Sequence, residues 1–533
     1  MTRRPALRTA AIALSLSVIP SASWSQASPS AGTHAVRYDL MRREVGTMSA
    51  DADGAAPWSF LATRKTYDAG GRLTKVESGH LSAWQPETVA PAAWTGFTVV
   101  SQVDTLYDAM DRKVREAVSG SGVITGVTEY GYSLAGRLKC TAVRMNPAVW
   151  ATALTDKCVP GTAHAINGPD RITRNSYTGP GEILKIEKAV GTGLQQVYAA
   201  YTYSPNGKTT SVTDANGNKA EMTWDGLDRQ KRWTFPSKTV PGQVNSADYE
   251  EYGYDSNANR TSVRKRDGST LTYQFDALNR MSAKIVPERT GLTAAQTRDV
   301  YYGYDNRGLP TSARFDAVDG EGVTMWYNGF GERITTLAYM FGQPRYVFHS
   351  YDLDGNRRTV THPDGNYAMY DYDGLGRMTA FRENGGPPLA TATYDSAGRR
   401  TGIGFTGAST TYGYDNVGRL NSLSHDLGGA ALTAQDQVQT FAYNPASQMS
   451  GRTATNAVYA WNDSNSYVRS YATNGLNQYS GTTSSGASPA TYTYDLNGNL
   501  TSDGSRFYVY DVENRLVSAS GAATAAMVYD PLG

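Results

Sequence analysis

"YGYDNVGRLNSLSH", residues 412–425, sets a tyrosine beside an aspartate, a glycine three positions on, and then an arginine and a leucine. The phrase returns as "YDYDGLGRMTAF" (370–381), "TYDSAGRRTGIG" (393–404), "TYDAGGRLTKVE" (66–77) and "YVYDVENRLVSA" (508–519). Aligned on the aromatic before the acid, its anchors are Tyr203, Trp224, Tyr254, Phe275, Tyr304, Tyr327, Tyr351, Tyr372, Tyr394, Tyr414, Tyr443, Tyr494, Tyr510 and Tyr529. Looser copies precede them at Tyr38, Tyr67, Tyr107 and Tyr132. The commonest spacing is about 21 residues, within the range that marks repeat architectures.

One unit, "NRTSVRKRDGSTLTYQFDALNRMSAKIV" (259–286), exposes the physics. "RTSVRKR" is strand-like, Asp267-Gly268 is a hairpin turn, and "STLTYQF" is the returning strand. The Asp-Gly pair predicts a type I′ turn, as do Asn216-Gly217 and Asp364-Gly365 in their own units. At the other end "FDALNR" or "YDNVGR" makes a second turn, in which Asp accepts backbone hydrogen bonds and Gly or Asn takes the left-handed position. Two strands of about seven residues and two turns fill the period.

The regular copies carry the phrase as Tyr254-Asp255, Tyr304-Asp305, Tyr372-Asp373 with Gly376 and Arg377, and Tyr394-Asp395 with Gly398 and Arg399. Further copies are Tyr414-Asp415 with Gly418 and Arg419, Tyr494-Asp495 with Gly498, and Tyr510-Asp511 with Arg515. Tyr ends a strand and offers its ring and hydroxyl to a neighbour. Asp shapes the turn, Gly permits it, and Arg reaches an Asp of the same or an adjacent unit. These are structural residues, with register as their main effect, since a partly exposed ion pair contributes about 0 to 1 kcal/mol.

Composition agrees. Of 533 residues 54 are Gly and 36 Tyr, against 6 His and 2 Cys, so many short strands joined by tight turns are expected. The length alone would allow three or four ordinary domains by the usual rule of about 150 residues each, but the repeat runs through nearly all of it. A net charge of +1 with interspersed signs gives no reason to expect nucleic acid or an acidic membrane as partner. About twenty units give roughly forty strands, whereas open twisted sheets rarely exceed about ten without curling. The fold expected is therefore all-β: tandem hairpins wound into a curved or spiral shell, with a tyrosine-rich, partly polar inner surface.

The N-terminus reads as a secretory signal peptide over 1–27, with basic "MTRRPALR", apolar "TAAIALSLSVI" and small residues Ser25 and Ala27 at the cleavage positions. The apolar run falls short of the roughly 20 residues of a transmembrane helix, and no later stretch spans a bilayer, so a secreted or surface location is expected. Divergent repeats fill 28–200, with insertions at about 78–105 and 140–170, and the regular array fills 201–533. Cys140 and Cys158 flank the second insertion. In an oxidising compartment they predict a disulfide contributing about 3 kcal/mol, two free thiols being the alternative.

"YDNVGRLNSLSH", "YDGLGRMTAF", "YDLNGNLTSDG" and "YDVENRLVSASG" resemble the Rhs/YD repeats of bacterial secreted proteins and of the teneurin YD shell, over roughly Tyr38 to Gly533. The resemblance implies a hollow β-shell or cocoon, which in many bacterial members encloses a C-terminal toxin released by self-cleavage. It also implies roles in competition between bacteria and at cell surfaces, with sugar binding in some members. The chain departs from that pattern by stopping at "MVYDPLG", partway through a repeat, with no toxin region after it; it reads as a cut-off shell.

Sites of chemistry are scarce. Family self-cleavage uses paired Asp-Pro segments, and the single "DPLG" (530–533) cannot supply two carboxylates sharing a proton. "GIGFTG" (402–407) has nucleotide-loop glycines but is followed by a strand and turn rather than a helix. "YDLDGN" (Asp352, Asp354, Asn356) and "YDLNGN" (Asp495, Asn497, Asn499) hint at calcium without the distant Glu that such a loop needs. His34, His80, His164, His349, His362 and His425 show no metal spacing and no neighbouring nucleophile. No catalytic residue, metal or cofactor is assigned. The expected function is non-catalytic: an exported shell, whole or partial, that encloses or presents a toxin-like polypeptide. The alternative is a surface module binding carbohydrate or mediating adhesion through Trp224, Trp233, Trp326 and Trp461.

Overall fold

The computed structural model describes residues 33–51, 57–428, 433–459, 468–485 and 487–533. The signal-peptide segment 1–27 and Trp461 lie outside these. The described residues form forty β-strands, and their helical segments are short 3-10 turns such as Pro91–Ala93 and Pro147–Val149. Thirty-two strands, from His34–Tyr38 to Met449–Ala454, make one sheet. The hairpin ribbon continues as a three-stranded sheet from Arg469 to Thr491 and a five-stranded one from Thr493 to Ala526. Strand order is sequence order. Phe97–Tyr107, for example, pairs antiparallel with Leu73–Leu81 before it and Lys113–Gly120 after it.

Curvature has a local cause. Register shifts by one residue at the strand end before each turn of the repeated phrase, between Thr66 and Tyr67, Gly253 and Tyr254, Thr393 and Tyr394, and Gly413 and Tyr414. A bulge bends its strand and increases the right-handed twist. Set once per repeat, it bends the ribbon always in the same sense, and the thirty-two-stranded sheet curls without closing into a barrel: a curved β-shell.

The Asp-Gly turns differ from expectation. Type I′ needs positive φ at both central residues. Here Gly268 (φ 91°), Gly217 (82°) and Gly365 (87°) are left-handed, while Asp267, Asn216 and Asp364 are not. Gly268 N–H donates to Lys265 O and Lys265 N–H to Ser269 O, which is a type I turn closed by a left-handed glycine in a bulge. A side chain at the first central position then meets no steric penalty.

Apolar burial is broken into small clusters. Met48, Phe60, Ala62, Leu81 and Trp94 form one, with Trp58 and Trp84 packed against it; Cys140, Ala142, Cys158, Ile172 and Val190 form another. Residues 82–96, between the paired strands Leu73–Leu81 and Phe97–Tyr107, supply Trp84 and Trp94 to the first cluster. Leu271, Val286 and Val512 form a third, between residues far apart in sequence.

Candidate functional site

The copies from Tyr38 to Tyr510 build the same turn. In the one that holds Tyr414, Asp415 N–H donates to Arg419 O and Gly418 N–H to Asp415 O, with Gly418 at φ 87°. Asp415 Oδ1 accepts from the N–H groups of Val417 and Arg419, and Oδ2 accepts from Arg419 Nε at 2.7 Å. Asp373 with Arg377, Asp395 with Arg399 and Asp511 with Arg515 repeat this. Gly376 and Gly398 hold the left-handed position, which Asn514 (φ 67°) takes beside Asp511. Asn259 and Asn499 replace the arginine opposite Asp255 and Asp495, each donating its side-chain amide to Oδ2; Gly498 is the left-handed residue of the second. Asp305 takes its guanidinium from Arg307, within the turn.

Successive turns are linked. Tyr414 Oη donates to Arg400 O, Tyr394 to Met378 O, Tyr372 to Arg357 O, Tyr304 to Met281 O and Tyr254 to Gln230 O, at 2.7–2.9 Å. Each acceptor lies five residues after the acid of the preceding turn. The preceding arginine also lies over the tyrosine ring, 4.2 Å for Arg377 over Tyr394 and 4.6 Å for Arg399 over Tyr414. One aromatic thus joins two turns through its hydroxyl and its face. Trp224 substitutes its indole N–H, donated to Thr209 O.

The electrostatics follow. The Arg72 and Arg112 guanidinium groups lead in holding Asp68 and Asp108 below the ordinary carboxylate range, and the backbone N–H groups of Arg229 and Arg280 lead at Asp225 and Asp276. Burial raises the pKa of the Tyr304 and Tyr372 hydroxyls.

Two further copies of the turn lie outside the anchors read from the sequence. At Tyr177 the acid position is Thr178 and the arginine position Glu182, yet Tyr177 Oη donates to Leu138 O. At Asn474, Gln478 plays the arginine and the residue before the turn is Thr473. The surviving signal in "YTGPGEI" and "TNGLNQY" is the spacing of an oxygen-bearing side chain to a polar residue four positions on.

The ribbon also touches itself across the chain. Ser59 Oγ donates to Ser396 O, 337 residues away; Asn216 Nδ2 donates to Asn477 Oδ1, 261 away; Asp267 N–H donates to Asn497 Oδ1, 230 away. Lys284 and Glu513 form an ion pair at 2.5 Å. The partners on the later side are tips of repeated turns, and those on the earlier side are strands and hairpin ends of the preceding coil. At Gly120 a Cβ would lie 1.8 Å from Asn416 O, so only glycine admits the later tip.

Cys140 and Cys158 are joined in a disulfide with Cα atoms 5.5 Å apart. Asp352 and Asp495 spend their oxygens on Asn356 and Asn499, within their own turns. "GIGFTG" lies in the strand Arg400–Phe405 and the turn after it. Asp530 Oδ1 accepts from the N–H groups of Leu532 and Gly533. Of the tryptophans, Trp224 and Trp233 are half-buried, while Trp326 is 43 % exposed. Thr335 pairs with both Trp326 and Phe348, and Leu337 pairs with Tyr346, so the three aromatics share one face. Tyr346 and Phe348 stack at 5.9 Å and are themselves exposed. Among the described residues no group of three His, Cys, Asp or Glu side chains is arranged to hold a metal ion, and no helix is long and apolar enough to cross a membrane.

No family model matches the chain. It is 25% identical over 215 residues, 37% of its length, to the tRNA3(Ser)-specific nuclease WapA of Bacillus spizizenii, of which that stretch is 8%. Its fold is similar to that in the Photorhabdus luminescens Tc holotoxin pore carrying a TccC3 mutation, with a TM-score of 0.61 and 12% identity over 93% of this chain. It is similar also to TcdB2-TccC3-TEV, with a TM-score of 0.54 and 12% identity over 96% of this chain. The chain spans 28% and 31% of those two chains. Nearly its whole length is thus folded as one part of those much longer chains is: as a curved all-β shell.

Proposed function

We propose that the chain is an exported, non-catalytic wall of an Rhs/YD-type shell that encloses or presents a toxin-like polypeptide, in the service of competition between bacteria. The observation that carries this reading is the ribbon's return upon itself, with later turn tips bonded to earlier strands at Ser59–Ser396, Asn216–Asn477 and Asp267–Asn497. A ribbon that stacks coil on coil makes a continuous wall, and a wall is what sequestering a polypeptide requires. The likeness in fold to a Tc holotoxin supports the same reading. The Asp–Arg–Tyr ladder then acts in register and curvature rather than in chemistry.

The test is protease protection. A protease-sensitive reporter polypeptide is fused after Gly533 and digested alongside the free reporter. Slower digestion of the fused reporter, by tenfold or more on the order expected for a sequestered chain, is the expected result. Equal rates would overturn enclosure.

A second reading, carbohydrate binding at a cell surface, rests on the exposed row Trp326, Tyr346 and Phe348, since flat aromatic faces stack on sugar rings. A glycan array separates the two: signal lost in a Trp326→Ala chain favours it, and signal no higher than that of denatured protein removes it.

A further inference from the structure

The residue two places after the capping Asp or Asn of the repeated turn stands at its tip, with its N–H donated to the cap's Oδ1. Early in the ribbon this position holds Met41, Met110, Leu227, Leu278 and Phe330. Later it holds Leu375, Val417 and Leu476. The backbone bond is the same and the surroundings are not. The five early side chains are 69–94 % exposed. The three later ones are half-buried against the preceding coil. Leu375 shares a groove with Leu61, Val417 one with Val100, and Leu476 one with Val212 and Phe235. A large apolar side chain at this place is therefore what seats one coil on another.

Alternate turns of the ribbon lie at alternate ends of its strands, so the repeated turns follow one rim and the hairpin ends the other. Later tips rest on the hairpin rim of the earlier coil, which leaves two rims bare: the tips of the earlier coil and the hairpin ends of the later one. The bare hairpin rim is apolar too. Phe405 and Leu427 are exposed at hairpin ends, and Phe341 is 71 % exposed. Phe341 also stands in the left-handed region, at φ 56°, where a bulky residue is strained, and its exposed ring recovers none of that cost by burial. By contrast Val286, at a hairpin end that the later coil covers, is 6 % exposed and packs on Val512.

We propose that the two bare rims are the halves of one interface, with the tip row of one copy of this chain seated on the hairpin rim of a second copy. The seam inside the molecule is the template. It shows that apolar tips take a β-hairpin rim as their partner, and the uncovered rim of that chemistry lies on this same chain. Contiguous exposed apolar side chains mark such contacts. Each copy presents a different surface to the contact, so the assembly runs head to tail and does not stop at two copies by symmetry. The inference rests on the curved sheet and its seam, and holds whether or not the shell encloses a polypeptide.

Sedimentation velocity of the chain and two variants tests it. The tip variant carries Met110→Lys, Leu227→Lys, Leu278→Lys and Phe330→Lys; the rim variant carries Phe341→Asn, Phe405→Lys and Leu427→Lys. All these positions are exposed, so both variants should keep the circular dichroism and thermal unfolding of the parent. The parent should form species whose mass rises with concentration, and each variant alone should be monomeric. An equimolar mixture of the variants should give a dimer and nothing larger, because the first retains an intact hairpin rim and the second intact tips. A parent that is monomeric at every concentration, variants that associate as the parent does, or a mixture that stays monomeric would each overturn the proposal.

Discussion

Residues 44–190 and 333–454 are woven in the same way and held differently. In the first region strands run to 11 residues, as in Phe97–Tyr107, and Glu44–Asp51 buries Gly46, Met48 and Ala50 in alternation. In the second, Arg357–Thr361 has 5 residues and Met449–Ala454 is exposed throughout. The difference lies in what covers the sheet. The segments 82–96 and 145–170, between paired strands, fold back to place Trp84, Trp94 and Trp150 on the first region, and the second has no such cover among the described residues. The turn is nonetheless the same in both: Asp68 with Arg72 and Asp395 with Arg399 make identical contacts. Apolar burial is thus an addition to a fold that turn chemistry and strand pairing already specify.

Breaking the cover should cost most. Phe60 is 2 % exposed and lies between Trp58 and Trp84, so Phe60→Ala should destabilise the first region by about 3–5 kcal/mol. Urea titration followed by tryptophan fluorescence reads it, and an unchanged midpoint would deny the cluster its role. Next, removing the Cys140–Cys158 bond by Cys→Ala at both positions should cost about 3 kcal/mol in the same region. Hydrogen exchange should then rise across 115–190 and stay constant across 333–454.

In the second region the sensitive group is a turn. Asp395→Ala strips the acceptor of two N–H groups and of Arg399, with an expected loss of about 1–2 kcal/mol. Asp395→Asn should recover part of it, since an amide oxygen still caps the N–H groups. Equal losses from both substitutions would mean that charge, not capping, sets the turn.

Smallest per residue is the response to acid. The turn carboxyls of Asp352 and Asp415 are held below the ordinary value by Asn356 and Arg419 respectively, against the opposing effect of burial, and that of Asp364 by the Asn366 amide. A lowered folded-state pKa gives stabilisation that is complete above the unfolded value of about 3.9 and is lost as pH falls through the folded one. The second region should therefore keep its strand signal in circular dichroism down to about pH 4 and lose it below, ahead of the covered region. Loss already at pH 6 would contradict this order.

The ribbon was legible because its signal is local. An aspartate, a left-handed position three residues on and a polar partner at the fourth suffice to fix the turn, and the period of about 21 residues counts the strands. Asp267-Gly268 was misread because the dipeptide is common to two turn types, and the bulge that separates them lies in the pairing. Tyr177 does not stand out because Thr178 and Glu182 occupy both the acid and the arginine positions, and Asn474 because Thr473 takes the place of the aromatic. The coil contacts were not legible at all. Gly120 meeting Asn416 depends on curvature summed over many bulges, and no pattern in either stretch announces the other.

Strand order that follows sequence order has a mechanical consequence. Pulled from its C-terminal end, such a ribbon has no strand that must slip past another and peels like a zipper. Each 21-residue unit would release about 70 Å of contour length. Resistance would be periodic, one modest force peak per repeat, and stronger where turn tips bind the earlier coil. The span between Cys140 and Cys158 alone would stay closed, a knot in the thread that tension cannot draw out. A shell built in this way yields to a pull on its end, one repeat at a time.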